Sequence, residues 1–193
     1  MKVVVRIAVG IIGLVIVVLG LKQIYKGVGE MSGKSGKKSS PPSQQLGETY
    51  TSAENGYSHK IPQGWENKPN SQAGIATTFV SPASTGLASN MVTTIEPYQG
   101  TLADYIAANK QAITTAAPGA KFLSDSEFAT DARVKAHKVK LTNKMNDIDL
   151  AQTMYFFEAP NNKKIIITCT APAKHAGDLE SLFDGCMKTF AVK

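Results

Sequence analysis

The feature that most constrains this chain of 193 residues is an apolar segment close to its N-terminus. Val3–Leu21 reads VVVRIAVGIIGLVIVVLGL, and Arg6 is its only charged residue. The uncharged stretch Ile7–Leu21 makes about 22 Å of helix, which is less than a hydrocarbon core of about 30 Å. Apolar neighbours lengthen it to residues 3–25, and Arg6 and Lys22 can extend their charges to the two interfaces. We therefore predict a transmembrane helix in which residues 3–25 span the membrane.

A cleaved signal peptide is the alternative interpretation of residues 1–26, because it shares the basic start and the apolar middle. Such peptides end in a small-residue cleavage site, whereas this segment ends in the letters VLGLK at residues 18–22. No cysteine follows the segment closely, which argues against a lipid-modified N-terminus. We expect residues 1–26 to remain as an uncleaved membrane anchor.

Charge is concentrated beside this anchor. The net charge is +6, and residues 1–47 hold seven basic side chains against the single acid Glu30. Residues 48–193 hold 14 basic and 14 acidic side chains, so they lack the positive field of a nucleic-acid-binding protein. Lysines beside anionic lipid headgroups explain the excess better. We predict no nucleic-acid partner.

Two sequence features disagree on which side of the membrane the rest of the chain lies. Five lysines follow the apolar segment by position 38, and the positive-inside rule then favours a cytoplasmic domain. The very short N-terminal stub resembles the start of an export signal, and the cysteine placement described below also favours export. We expect an extracytoplasmic domain, on the periplasmic or cell-surface side, with a cytoplasmic-facing domain as the alternative.

Residues 27–47, GVGEMSGKSGKKSSPPSQQLG, are rich in Gly, Ser, Lys and Pro and predict a flexible linker. Part of this stretch, Gly29–Ser35, resembles a phosphate-binding loop. That pattern needs a glycine where the chain has Val28, and it needs a strand before it and a helix after it. We therefore expect a solvated linker here and no nucleotide site.

Residues 48–193 show the pattern of one globular domain. Strand-like stretches alternate with turn residues. The predicted strands are Tyr57–Ile61, Ala76–Ser81, Met91–Glu96, Lys121–Ala129, Ala132–Thr142, Ile148–Glu158 and Lys163–Ala171. The short turns Asn143–Asp147 and Pro160–Asn162 imply antiparallel pairing of the later strands.

Two helices are predicted between and after these strands. The first begins at Thr101–Asp104, which resembles a capping box with Asp for Glu, and it ends at Pro118-Gly119. The second, near Lys174–Phe190, carries apolar residues at steps of three and four, so one face can dock on the sheet. The fold class is therefore α+β on a mostly antiparallel sheet, preceded by one transmembrane helix and the linker.

The order and spacing of several short motifs resemble the PsbP/DcrB-like family. Gly56–Trp65, GYSHKIPQGW, is similar to its opening G-Y-S-φ-x-φ-P-x-G-W, in which φ is apolar and His59 replaces the first φ. Phe79–Pro82 is similar to its second strand and Ser-Pro turn, and Ile165–Ala171 and Phe183–Phe190 to its last strand and closing helix. The resemblance implies an α/β/α sandwich with a central antiparallel sheet. It also implies an envelope-associated or thylakoid-associated accessory protein with no shared active-site motif.

The two cysteines, Cys169 and Cys186, are candidates for a disulfide. Cys169 shares a face of the last strand with Ile165 and Ile167, and Cys186 lies on the apolar face of the last helix. If the helix packs on that face, the sulfur atoms become neighbours, and a bridge would stabilise the fold by about 3 kcal/mol in an oxidising compartment. Two buried free thiols are the alternative. No Cys-x-x-Cys pair indicates a redox catalyst.

No catalytic, cofactor-binding or metal-binding residue is predicted, and no cofactor is expected. The three histidines are His59, His137 and His175. No two of them have a sequence spacing typical of metal ligands, such as i and i+4, and we expect them at surface or edge-strand positions. No Gly-x-Ser-x-Gly elbow is present, although hydroxyls such as those of Ser81–Ser89 can assemble in space into a hydrolase site.

Two groups of side chains are candidates for binding. Basic residues crowd one strand and its turn at Arg133, Lys135, Lys138, Lys140 and Lys144. Strand alternation divides them between two faces, so the simplest interpretation is a solvated, edge-like strand, with lipid headgroups or an acidic partner as the alternative. The aromatic residues that could line a ligand groove, but fit a core better, are Trp65, Tyr98, Tyr155, Phe156 and Phe157.

These observations favour a membrane-tethered extracytoplasmic accessory or binding module that supports an envelope or membrane protein complex and is not an enzyme. The expected partners are the membrane and an envelope protein, and nothing in the sequence indicates a particular oligomeric state. The alternatives are a hydrolase-like envelope enzyme without a recognisable motif, and a domain that binds a lipid or lipophilic ligand.

Overall fold

The computed structural model describes residues 45–69, 74–82, 88–145 and 147–193. The predicted anchor and residues 27–44 of the predicted linker lie outside these ranges. Within the described ranges, no helix combines the length and the apolar character that a membrane span requires. The first strand, β1 (Leu46–Ser52), begins within the last residues that the sequence assigns to the linker.

A seven-stranded sheet forms the centre of the domain. In spatial order its strands are β3 (Glu66–Asn67), β4 (Ile75–Val80), β5 (Asn90–Pro97), β9 (Lys163–Pro172), β8 (Ile148–Ala159), β7 (Lys135–Met145) and β6 (Lys121–Ala129). Every neighbouring pair is antiparallel. The strands from β6 to β9 follow one another as hairpins, as their turn residues predict.

A smaller sheet lies beside the large one. Its central strand β2 (Tyr57–Pro62) pairs antiparallel with β1 on one side and β10 (Ala191–Val192) on the other. The sequence does not predict β1, β3 or β10. β3 and β10 have two residues each, and most side chains of β1 are exposed, so none of them shows the alternation of a half-buried strand.

The first helix, α1 (Leu102–Ala116), begins with the predicted capping box. Thr101 Oγ1 accepts a hydrogen bond from Asp104 N at 3.1 Å, and Asp104 Oδ2 accepts one from Thr101 N at 3.2 Å. These two bonds satisfy backbone N–H groups that have no partner within the helix.

The two helices cover opposite faces of the large sheet. The second helix, α2 (Ala176–Lys188), follows a 3₁₀ turn at Ala173–His175 and packs on the face that contains Tyr155. The small sheet covers part of this same face. α1 packs on the other face, which contains Phe156. Because successive residues of a strand point to opposite sides, these two neighbours in β8 belong to separate cores. The described chain is a mixed α/β domain with antiparallel sheets and two helices.

β7 is an interior strand, so the predicted edge-like position is wrong. β6 pairs with it on one side and β8 on the other. It begins at Lys135 rather than at Ala132, because a tight turn precedes it. Arg133 N donates to Thr130 O at 2.9 Å, and Arg133 has a φ of 61°. A residue in this left-handed conformation cannot continue an extended strand.

Candidate binding site

A cavity of ≈ 270 Å³ opens on the α2 face of the large sheet. Small side chains near the ends of β8 and β9 line it, among them Ala151, Thr153 and Ala171. α2 contributes Phe183. Leu123 of β6 also lines the cavity, and its side chain is 61% exposed. The cavity therefore joins a sheltered floor to an exposed apolar side chain.

The cavity exists because the first residues of α2 are too small to cover the sheet. Ala173, Ala176 and Gly177 line it at this point. A Cβ added to Gly177 would meet no described heavy atom within 4 Å, so there is open space beside the backbone. Large buried side chains begin with Leu179 and Phe183 further along the helix. The helix thus packs tightly on the sheet except at its first turn.

Two lysines of β7 and two carboxylates of α2 join the helix to the sheet beside the cavity. Lys140 Nζ donates to both carboxylate oxygens of Glu180 at 2.8 Å. Lys138 Nζ donates to both oxygens of Asp184 at 2.7 and 2.9 Å, and to Glu180 Oε1 at 3.2 Å. The hydrogen bond from Lys140 is the main cause that holds the pKa of Glu180 below its usual value.

The prediction of solvated side chains is wrong for these two lysines. The Lys138 side chain is only 11% exposed, and each ammonium group has a carboxylate partner. Residues two apart on a strand share a face, as do residues four apart on a helix. The sequence shows lysines at positions 138 and 140 and acids at positions 180 and 184, so the spacing is a usable signal. Which strand face meets which helix is decided only by the tertiary fold.

Tyr155 and the two cysteines lie next to this ion-pair network. The Tyr155 hydroxyl donates to Asp184 Oδ1 at 2.5 Å. Burial is the main cause that raises the pKa of Tyr155, with Cys169 and Asp184 adding to it. Burial also raises the pKa of Cys169 well above its usual value and that of Cys186 to about 12. These groups are protonated at neutral pH, and the thiols are therefore poor nucleophiles.

The predicted disulfide between Cys169 and Cys186 is not formed, and both residues are buried free cysteines. They do share one core cluster, as the strand and helix patterns predict. Larger apolar side chains such as Ile167 and Phe183 belong to the same cluster, and the sulfur atoms do not come within bonding distance. The thiols pack as small apolar groups, which is the alternative that the sequence leaves open.

His59 is fully buried, so its predicted surface or edge-strand position is wrong. It lies on the central strand of the small sheet, and its ring contacts those of Tyr50, Tyr57 and Phe79. Its Nδ1 donates to Lys60 O at 2.9 Å, whereas Nε2 has no hydrogen-bond partner among the described residues. Burial lowers the pKa of His59.

The other two histidines lie elsewhere. His137 binds Asp125 through Nε2, and Lys110 Nζ donates to the other oxygen of the same carboxylate at 2.6 Å. His175 is exposed in the 3₁₀ turn. In the part of the chain that the structure describes, no three His, Cys, Asp or Glu side chains form a group that could hold a metal ion. Residues 83–87 of the hydroxyl-rich stretch lie outside the described ranges.

The core interpretation of the aromatic residues is confirmed for most of them. Trp65, Tyr155, Phe156 and Phe157 are buried, and Tyr98 is partly buried against the α1 core. Of the candidate binding residues, Lys140 lines the cavity. Much of the remaining lining, namely Leu123, Gly177 and the small side chains of β8 and β9, is not singled out by the sequence. A run of small residues at the start of a helix that otherwise carries large apolar ones is the signal that could have found it.

Comparison with known proteins identifies the fold. No family model and no curated protein matches the chain. Cyanobacterial PsbP from Synechocystis is similar in structure, with a TM-score of 0.61 and 17% identity over 84% of this chain and 99% of its own. PA94 of Pseudomonas aeruginosa, a protein of unknown function, has a TM-score of 0.55 and 20% identity over 77% and 97%. LpqN of Mycobacterium tuberculosis, which is involved in cell envelope biogenesis, has a TM-score of 0.56 and 12% identity over 71% and 83%. The domain has a PsbP-like fold.

Proposed function

We propose that this chain is a membrane-tethered, non-catalytic binding module that supports a protein complex of the cell envelope. An anchor through residues 3–25 and a linker over residues 27–44 hold an α/β/α sandwich of the PsbP/DcrB-like kind outside the cytoplasm. The free thiols of Cys169 and Cys186 remove the cysteine argument for this side of the membrane, so it rests on the resemblance of the N-terminal stub to an export signal. The PsbP-like fold supports the domain part of this proposal. The involvement of LpqN in cell envelope biogenesis supports the envelope setting.

The observation that carries the proposal is the chemistry of the cavity on the α2 face. Its volume of ≈ 270 Å³ is below the roughly 300–1,000 Å³ of sites for small molecules. Apart from the amide of Gln152, its uncharged walls are small or apolar side chains, and the charges of Lys140 and Glu180 neutralise each other. A cavity of this kind suits one apolar side chain of a partner protein, which is how many interfaces are anchored. Leu123 extends the apolar surface outward from it.

The titratable groups beside the cavity favour binding over catalysis. Glu180 and Asp184 are each held by a lysine, so neither is a free general base. The raised pKa values of Tyr155 and Cys169 keep both groups neutral, so neither supplies an anionic nucleophile at neutral pH. Beside this cavity the chain offers packing surface rather than reactive groups.

Photo-crosslinking from the edge of the cavity tests this function. A photoreactive amino acid replaces Leu123 in the full chain, and the protein is irradiated in its native membrane. We expect adducts with an envelope protein that disappear when Gly177→Trp fills the cavity and persist with the matched control Gly177→Ala. A second photoreactive position at Lys68, which follows β3 at the opposite edge of the large sheet, should not give the same adducts. Adducts that survive Gly177→Trp, or the absence of any protein adduct, would overturn the proposal.

A further inference from the structure

We infer that β6 is the acceptor strand for an extended segment of the partner protein, which adds a further strand to the large sheet and places one apolar side chain in the cavity. The inference rests on the proposed function and specifies the part of the partner that binds. The partner segment pairs its backbone N–H and C=O groups with those of β6, and its side chains on alternate positions determine specificity.

The two edges of the large sheet differ in length. β3 forms one edge and has two residues, whereas β6 forms the other and has nine. A very short edge strand is one means by which proteins prevent unwanted strand pairing. β6 is long, seven of its nine residues are exposed, and among the described strands it pairs with β7 alone. β6 is therefore the edge at which the sheet can accept another strand.

The second part of β6 is a regular edge. Residues 124–129 pair in continuous register with residues 135–140 of β7. Successive residues of a strand direct their backbone groups to opposite sides, so every second residue of this run presents its N–H and C=O away from β7. The run contains neither proline nor lysine, which commonly protect an edge strand. It extends over about 20 Å, which is the length of an ordinary strand.

A β-bulge at the start of this run places Leu123 beside the cavity. Phe122 lies opposite Leu141 and Ser124 lies opposite Lys140, so Leu123 has no partner residue on β7. A bulge bends its strand and changes the direction of a side chain, often next to a functional site. Leu123 lines the cavity and is nevertheless 61% exposed. The regular edge therefore begins where the cavity opens.

Small side chains leave a path from this edge to the cavity. Phe128 packs against the core on the α2 face, so Ser126 and Ser124, two and four residues earlier, lie on the same face. Ser124 lies in one row with Lys140 and Thr153, and both of these line the cavity. A residue added opposite Ser124 extends this row by one strand spacing of about 4.8 Å. Because serine is small, an apolar side chain at that position can reach over it into the cavity.

The charges of β6 favour a different protein over a second copy of this chain. Asp125 is paired with Lys110 and His137, whereas Glu127 forms no ion pair with another described residue. Antiparallel pairing of two copies of β6 about residue 125, 126 or 127 would place carboxylates directly opposite one another, which destabilises a strand pair. A basic residue of another protein opposite Glu127 would instead form a cross-strand ion pair.

Hydrogen exchange of the photo-adduct tests the inference. The full chain with its photoreactive residue at position 123 is irradiated in native membranes, purified, and compared with the non-irradiated protein at single amides by mass spectrometry. We expect every second amide over residues 124–129 to exchange at least about tenfold more slowly in the adduct. The amides of β1, an edge strand of the small sheet, should not change. Unchanged exchange along β6 would overturn the inference and leave the proposed function in place, whereas the absence of any protein adduct would overturn both.

Crosslink positions make the test specific to strand pairing. Photoreactive residues are placed singly at Ser124 and Ser126, and the attached positions of the partner are identified by mass spectrometry. We expect attachment sites two residues apart in one continuous segment of the partner, because paired strands advance together. Attachment sites in unrelated segments, or adducts between two copies of this chain, would overturn the inference.

A charge variant tests the side-chain part of the inference. Glu127→Lys should lower the yield of the adduct from position 123 by about threefold, because it removes the carboxylate that a basic partner residue faces. The matched control Glu48→Lys, which changes an exposed glutamate of β1, should leave the yield unchanged. An equal loss in both variants, or no loss in Glu127→Lys, would overturn the assignment of a basic residue opposite Glu127.

Discussion

The two faces of the large sheet meet their helices in different ways. On the α1 face the ion-pair cluster of Lys110, Asp125 and His137 lies near the surface, with side chains 24–37% exposed. On the α2 face, Lys138 is 11% exposed and shares Asp184 with the buried Tyr155, while Lys140, Glu180 and Asp184 are 30–36% exposed, as on the α1 face. Adjacent residues of β7 thus supply both clusters. Because side chains alternate along β7, its basic residues are divided between two ion-pair networks, one on each face of the sheet. How deeply each network is buried determines how much it contributes to stability.

The largest effect is expected from removing Asp184, the carboxylate that pairs with the nearly buried Lys138. Asp184→Ala leaves the ammonium of Lys138 and the hydroxyl of Tyr155 short of a partner, so we expect the free energy of unfolding to fall by about 3 kcal/mol. Urea denaturation of the full chain in detergent measures it. The double variant Lys138→Met, Asp184→Leu should recover about half of the loss, because no buried charge remains unpaired but the Tyr155 hydroxyl still lacks its acceptor. A loss below about 1 kcal/mol for Asp184→Ala would mean that this cluster behaves like a surface pair.

A smaller effect is expected from the Tyr155 hydroxyl, which joins Asp184 to the core. Tyr155→Phe keeps the ring in the core and removes one hydrogen bond to a carboxylate. We expect a loss of about 1.5 kcal/mol, because Asp184 keeps its lysine. The same denaturation experiment measures it. If the loss equals that of Asp184→Ala, the hydroxyl rather than the ion pair dominates the cluster.

A third effect appears only at acidic pH and concerns His59, which is buried in the core on the α2 side. The pKa of His59 is lowered by burial, so the unfolded chain takes up the proton first as the pH falls below about 6.5. The stability from neutral His59 is complete above this pH and is lost below it. Thermal unfolding across this range should show a decline that His59→Leu, with an apolar residue at the position, reduces. An unchanged decline in that variant would exclude His59 as its source.

The smallest effect is expected on the α1 face. Asp125→Ala removes the partner of Lys110 and of His137, but these side chains remain in contact with water. We expect a loss below about 1 kcal/mol, and less in high salt. Measured beside Asp184→Ala, this variant is the direct test of the contrast between the faces. A loss as large as that of Asp184→Ala would remove the contrast.

The sequence predicts those parts of the fold that local residues determine. Thr101 and Asp104 form the capping box, and the Pro-Asn-Asn turn at residues 160–162 joins two long strands, as predicted. β1 and β10 are not predicted, because they are held by pairing with β2 rather than by their own pattern. The strands from β6 to β9 lie within a few residues of their predicted bounds, and the largest difference follows from Arg133.

The candidate site was much less predictable. Lys138 pairs with a carboxylate 46 positions away in the sequence, and Lys140 with one 40 positions away, both on α2. The cavity exists partly because Gly177 has no side chain. The pattern of apolar residues in α2 does not indicate this open space. The shared core of Cys169 and Cys186 follows from their faces, but the separation of the sulfur atoms depends on how closely β9 and α2 pack.

Intact mass of the protein extracted from its own membranes tests the proposed tether most directly. The sample is alkylated under denaturing conditions without a reducing agent. We expect the mass of all 193 residues with two alkyl groups, one on each of the cysteines Cys169 and Cys186. A mass that lacks the residues of the predicted anchor would contradict a tethered module, and a full-length mass without alkyl groups would contradict the free thiols.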